Sequence, residues 1–267
     1  MKTILITGST DGIGLETAKT LAKEGHNIII HGRDANKIKN AKEILTTLSN
    51  GKEIKSYQAD LSNMQNVINL AKNIKKDFSK LDVLINNAGI YKTNTSLTKD
   101  NLDIRFTVNT IAPYLLIKEL VDILDNTSRV INLSSAAQAP VNLNALKGNE
   151  NLSDSEAYAQ SKLALTMWNH FLSHKLQNKI GVLVAINPAS FLGSKMVKEA
   201  YGMEGKDINI GVGILSRAAL SDEFKDASGK YFDNDLGRFS MPYPDALDMT
   251  KCEKLVDNIE DILKRIL

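Results

Sequence analysis

The sequence predicts an α/β fold built on a doubly wound, mostly parallel sheet, and three observations carry that prediction. Strand-length segments recur at residues 2–7, 27–31, 53–58, 81–85, 129–133 and 181–186, most of them rich in apolar residues, with helix-length stretches between them. The first run passes directly into a glycine-rich turn, Thr7-Gly8-Ser9-Thr10-Asp11-Gly12-Ile13-Gly14, and then into a helical pattern. Asn86-Asn87-Ala88-Gly89 puts small residues at the end of the fourth run, where a ligand crosses a parallel sheet. Strands that alternate with helices at this spacing need crossover connections, so the strands lie parallel with helices on both faces.

Taken in order, the chain justifies each element. Strand 2–7 leads into the turn, and Leu15, Ala18, Leu21 and Ala22 give the first helix its apolar stripe up to a stop at Gly25. Glycines let the backbone approach a pyrophosphate, and the helix start offers free N–H groups. The second strand ends in His31-Gly32-Arg33-Asp34. An acidic residue near this point suits the 2′-hydroxyl of NAD, whereas an Arg suits a 2′-phosphate. Gly32 followed by Arg33, with Lys37 a turn later, predicts NADP(H), with NAD(H) as the alternative; Asp34 reads as a helix N-cap. A helix over about 35–48 and the strand 53–58 bring the chain to Asp60-Leu61, which can meet an adenine edge, and Ser62 is expected to cap the next helix, to about Phe78. The helical pattern over about 100–124 contains Asn109 and Pro113, so an irregularity that frees Asn109 for another partner is expected there.

The fifth strand, 129–133, ends at Ser134-Ser135. Successive strand residues face opposite ways, so Ser135 is placed in the site and Ser134 out of it. A polar stretch, 138–153, precedes a helix over 154–178 that starts at Ser153 or Asp154. Strand 181–186 ends in Asn187-Pro188-Ala189-Ser190. Two helices are expected within 194–221, then a short strand, Lys230-Tyr231-Phe232, and a terminal helix opened or reinforced by a capping box at Thr250-Lys251-Cys252-Glu253. The sum is a Rossmann-type sheet of about seven parallel strands in one domain, residues 1–267, with substrate loops at about 138–153 and 190–215.

Composition narrows the classes. A net charge of +2 without a basic run points away from nucleic acid. One cysteine, Cys252, excludes a disulfide framework and makes a cytoplasmic protein the default. No run is long enough for a signal-peptide core or a membrane span.

The chemistry centres on Tyr158 and Lys162, four apart and therefore on one helix face. A free phenol titrates near pH ~10, and a neighbouring ammonium lowers that value toward a usable acid–base group. His170 and His174 have the same spacing, but no third ligand is in step, so no metal site is expected. Trp168 and Phe171 read as core or subunit contact, and Met196, Tyr201 and Met203 as candidates for a substrate mouth.

With these residues in hand, the chain resembles the short-chain dehydrogenase/reductase family over nearly its whole length. The matching motifs are Thr7-Gly8-x-x-x-Gly12-Ile13-Gly14, Asp60-Leu61, Asn86-Asn87-Ala88-Gly89, Asn109, Ser135 and Tyr158-x-x-x-Lys162, in family order. The long interval from Ser135 to Tyr158 and the late Ser-Gly-Lys-Tyr-Phe are similar to the retinol-dehydrogenase-like branch. The resemblance implies an oxidoreductase that transfers hydride between NADP(H) and a small carbonyl or alcohol. Tyr158 would be general acid or base, Lys162 would lower its pKa and hold the nicotinamide ribose, Ser135 would bond the carbonyl oxygen, and Asn109 would position a water linking Lys162 to bulk. Cofactor contacts would come from Gly8, Ser9, Thr10, Asp11, Gly12, Ile13, Gly14, Arg33, Asp60, Leu61, Asn87, Ala88, Gly89, Tyr158, Lys162, Pro188, Ser190 and Ser194. Ala189 stands where the family has Gly, so a positive φ there is disfavoured; Ser194 stands in for a family Thr. A homo-oligomer, dimer or tetramer, is implied, with a monomer as the alternative. Two rival functions share the cradle: a cofactor-sensing protein without turnover, and an isomerase or dehydratase.

Overall fold

A computed structural model describes residues 1–49 and 51–267. Its core is one eight-stranded sheet in the order β3-β2-β1-β4-β5-β6-β7-β8. The strands are β1 (Thr3–Ile6), β2 (Asn27–Gly32), β3 (Lys55–Gln58), β4 (Val83–Asn86), β5 (Arg129–Leu133), β6 (Val182–Asn187), β7 (Tyr231–Asp233) and β8 (Arg238–Ser240). The first seven run parallel. β8 adds an antiparallel edge, with Phe232 opposite Phe239. That eighth strand extends the expected seven. Three residues beyond a turn give too short a period to be read from sequence.

The central strands β1, β4 and β6 are largely apolar and buried because both faces are covered, whereas the edge strand β3, Lys-Ser-Tyr-Gln, is not. Ile4, Ile6, Val83 and Ile85 join one core, under α1 (Gly12–Lys23), α2 (Ala35–Leu48) and α9 (Asn209–Leu220). Leu5 and Leu84, on the other face, join a second core under α3 (Met64–Asp77), α5 (Ala112–Leu120), α7 (Asp154–Lys175) and α10 (Met249–Ile266). Trp168, fully buried, and Phe171, at 7% exposure, lie in this second core with Leu255 and Ile259 of α10. The α7 face expected to be either core or subunit contact is therefore core, closed by the chain's own last helix. No described helix is long and apolar enough to cross a membrane.

Two helix starts differ from expectation. Asn63, not Ser62, caps α3. The last helix is capped by Asp248, which accepts from the Lys251 amide, and Thr250 lies inside α10. An acid two residues before the Thr competes better for the first free N–H groups. The 100–124 pattern breaks into α4 (Ile104–Phe106), a π-helical turn over Thr107–Ile111, α5 and a 3₁₀ turn over Val121–Ile123. The polar stretch 138–153 contains one short helix, α6 (Leu143–Leu146), and the 194–221 excursion gives α8 (Lys195–Tyr201) and α9.

Candidate active site

β1 and β4 are neighbours, and the chain leaves them toward opposite sides of the sheet, so a crevice opens at their carboxyl ends. A cavity of about 390 Å³ occupies it. One end is the glycine turn. Gly8 has φ +64° and Gly12 φ +55°, a region that disfavours side chains. A Cβ on Gly14 would lie 2.4 Å from Asn87 Nδ2 and 2.5 Å from the Gly8 carbonyl oxygen. The turn is held by Asn87, whose Nδ2 donates to the Thr7 and Gly8 carbonyls at 2.8 and 3.1 Å. Such a close-packed, glycine-rich turn ahead of a helix fits a pyrophosphate. Thr10, Asp11, Gly12, Ile13, Arg33, Asp60, Leu61, Ala88, Gly89, Pro188 and Ser194 also line the cavity.

Several expected contacts are placed elsewhere. Ser9 is buried; its hydroxyl donates to the Ile6 carbonyl at 2.7 Å and accepts from the His31 amide at 3.0 Å. Ser190 is turned to Asp235, to which its hydroxyl donates at 2.6 Å. Neither reaches the cavity wall, and Gly14 supports the turn from behind. Ser194 caps α8 through the Val197 amide. Ala189 does adopt φ +121°, so the chain takes the strained conformation despite its Cβ. Asp34 is the N-cap of α2, as read from the sequence.

The other end of the cavity holds the reactive groups. α7 begins with a full capping box, Ser153 and Glu156, which fixes the turn before Tyr158. Lys162 Nζ lies 5.7 Å from the centre of the Tyr158 ring and donates to the Leu133 carbonyl at 2.7 Å. A Cβ on Gly89 would meet Asn109 Oδ1 at 3.4 Å and Lys162 Nζ at 3.5 Å, so both side chains converge on that glycine. Ser135 lies close enough to Tyr158 to lower its proton affinity, while its Oγ accepts from the Ala137 amide at 3.1 Å; it sits behind the residues that line the cavity. Ser134 borders the cavity, but its hydroxyl is buried against Thr166 Oγ1 at 2.7 Å and holds α7 to the sheet. Three distant segments thus bring Ser135, Tyr158, Lys162 and Asn109 together.

The electrostatics depart from expectation. Burial pushes the Tyr158 phenol up to about 12, and the nearby Ser135 side chain offsets part of that rise. Burial pushes Lys162 down to about 8. Desolvation therefore outweighs the expected lowering of the phenol by the ammonium. Asn109, in the π-helical turn, commits its amide to the loop after β4 and to α7. It accepts from the Ile90 amide at 2.8 Å and donates to the Ile90 carbonyl at 3.0 Å and Ser161 Oγ at 3.0 Å. It fixes the cavity wall, and its hydrogen bonds do not include Lys162.

Two residues were not foreseen. His31, buried at the end of β2, accepts from the Gly8 amide through Nδ1 at 3.2 Å, and its Nε2 lies 3.1 Å from the Ala59 carbonyl. With Nε2 as donor it is neutral, and burial lowers its pKa to about 4. A polar residue in an otherwise apolar strand was the available signal. Arg105, 1% exposed, bonds Asp103 at 2.6 and 2.9 Å and pairs with Asp154 at the start of α7. It ties the segment before Asn109 to the turn before Tyr158; no local pattern marks such a long-range pair. Tyr91 lines the cavity and packs against Tyr158 with ring centres 4.9 Å apart and against Tyr201 at 5.7 Å, and Phe191 meets Tyr201 at 5.2 Å; of the expected mouth residues Met196 lines the cavity, whereas Tyr201 and Met203 do not.

The fold and site define a dinucleotide-binding α/β protein with a tyrosine–lysine centre. The family model for short chain dehydrogenases matches residues 2–205, and the chain belongs to that family. Among similar proteins, retinol dehydrogenase 13 of Mus musculus is 29% identical over 95% of this chain and 81% of its own length. The chloroplastic short-chain dehydrogenase TIC 32 A of Brassica napus is 30% identical over 96% and 86%. A crystal structure of a protein from Mycobacterium paratuberculosis matches 99% of this chain and 94% of its own, at 25% identity and TM-score 0.81. A short-chain dehydrogenase from Shigella flexneri complexed with NADP shares the fold, at 22% identity and TM-score 0.69 over 88% of this chain and 97% of its own.

Proposed function

We propose that the chain is an NADP-dependent oxidoreductase acting on a carbonyl or alcohol, with Tyr158 as the general acid or base. The observation that carries this reading is the convergence of Tyr158 and Lys162, with Ser135 beside Tyr158, at one end of a cavity whose other end is a glycine turn with Arg33 beside it. The nicotinamide group, when bound, supplies or accepts the hydride. The chain's own residues handle the proton and the charge. A phenol with a pKa near 12 is protonated at neutral pH, so Tyr158 holds the proton that a reduced carbonyl oxygen needs. Ser135 donates to the same oxygen as negative charge develops. Lys162, its pKa held near 8, is cationic in most molecules at neutral pH, lies beside the Tyr158 ring and favours the phenolate once the proton has left. Asn109 and Arg105 keep the surrounding segments in place.

Gly32 leaves no carboxylate at the end of β2, and Arg33 and Lys37 line the cavity there. Both features support NADP over NAD, and the fold neighbour solved with NADP agrees with that choice. The apolar lining of Ile90, Tyr91, Val108 and Met196 supports a substrate with an apolar body. Tyr158→Phe should reduce turnover at least ~10²-fold, the scale of a lost general acid, while NADPH fluorescence still reports binding. Undiminished turnover removes Tyr158 from the mechanism. Full NADPH binding by a wild type inactive on a panel of aldehydes, ketones and alcohols would favour the cofactor-sensing reading.

A further inference from the structure

We propose that Asp11 is a specificity-determining residue that restrains the preference for NADP by holding Lys37; this rests on the NADP reading above. Lys37 and Arg33 are the cations at the end of the cavity beside Gly32. Lys37 is already engaged: its Nζ donates to Asp11 Oδ2 at 2.6 Å, joining the glycine turn to the first turn of α2. Both side chains remain about half exposed, 48% for Lys37 and 55% for Asp11, so the pair can exchange partners. The Lys37 hydrogen bond holds the Asp11 carboxyl below its usual range, so it is ionised at neutral pH. Among the described residues, Arg33 makes no ion pair, so the two cations start from different states.

A 2′-phosphate carries nearly two negative charges and a 2′-hydroxyl none. The phosphate must take Lys37 from Asp11 and then sit near an ionised carboxylate. The hydroxyl demands neither, and a carboxylate can accept from it. Asp11 therefore penalises NADP and leaves NAD untouched or favoured. Arg33 attracts the phosphate, and Asp11 opposes it by occupying Lys37.

Asp11→Asn isolates the charge. The side chain caps α1 through the Gly12 amide, and Asn is as good a cap as Asp. Dissociation constants for NADPH and NADH, measured by nicotinamide fluorescence on wild type, Asp11→Asn, Lys37→Met and the double variant, test the proposal without a substrate. In Asp11→Asn, the ratio of NADH to NADPH dissociation constants should rise about tenfold, corresponding to ~1.4 kcal/mol. Lys37→Met should lower it, and the Asp11→Asn gain should shrink in the Lys37→Met background because the two side chains are coupled. An unchanged or lower ratio in Asp11→Asn, or the full tenfold gain without Lys37, overturns the proposal. Failure of the wild type to bind either nucleotide instead overturns the NADP reading itself.

Discussion

His31 shows how one buried side chain can set the shape of a cofactor turn. Its ring links the Gly8 amide of one loop to the Ala59 carbonyl of another, and it can do so only while neutral. Its folded pKa, about 4, lies below the ordinary 6.5. The unfolded chain therefore binds the extra proton first, and stability is lost as pH falls from about 6.5 toward 4. His31→Asn should flatten that slope, seen as urea midpoints that change less between pH 7 and pH 5 than in wild type. An unchanged slope would assign it to other groups. Lys162 has the same sense of shift: with its pKa lowered from 10.5 to about 8, stability is lost as pH falls through that interval, and the full cost of burying the ammonium is present below it. A residue that supports the proposed chemistry is held against its own solvation.

At the scale of elements, the linker after β6 stores strain. Ala189 at φ +121° occupies backbone space that glycine takes freely. Such conformations cost about 1–3 kcal/mol. Glycine's larger unfolded-state entropy offsets about 0.4–1 kcal/mol of that. Ala189→Gly should therefore raise the unfolding free energy by about 1 kcal/mol, measured by chemical denaturation; a loss would show that the neighbouring contacts of Asn187 and Asp235 relieve the strain. The position was legible in the sequence as a departure from Pro-Gly, but its dihedral was not. The irregularity at Asn109 was likewise legible from Asn and Pro in a helical run, and it is a π-helical turn. The partner of Asn109, Ile90, was not legible, because it comes from a loop 19 residues earlier.

On the scale of the molecule, α10 decides what the α7 face can do. α10 packs against α7, and its Leu255, Val256, Ile259 and Ile262 lie in one buried cluster with Met167, Trp168 and Phe171. A chain ending at Tyr243 would expose this apolar surface. Sedimentation of that truncated protein should show self-association or aggregation at concentrations where the full chain keeps a single species. Unchanged sedimentation would mean that α7 needs no cover. This arrangement also removes the α7 face from the routes by which the full chain could form the expected homo-oligomer.

The order of strands and helices, the glycine turn and the Tyr158–Lys162 pair follow from the sequence, because each depends on local period, turn chemistry or helical spacing. The proton affinities of that pair, the bond between Lys37 and Asp11, the Arg105 link to Asp154 and the fate of the α7 face were decided by tertiary structure. Each depends on how far water is excluded and on which distant charge or apolar surface arrives, and neither quantity is encoded in neighbouring residues.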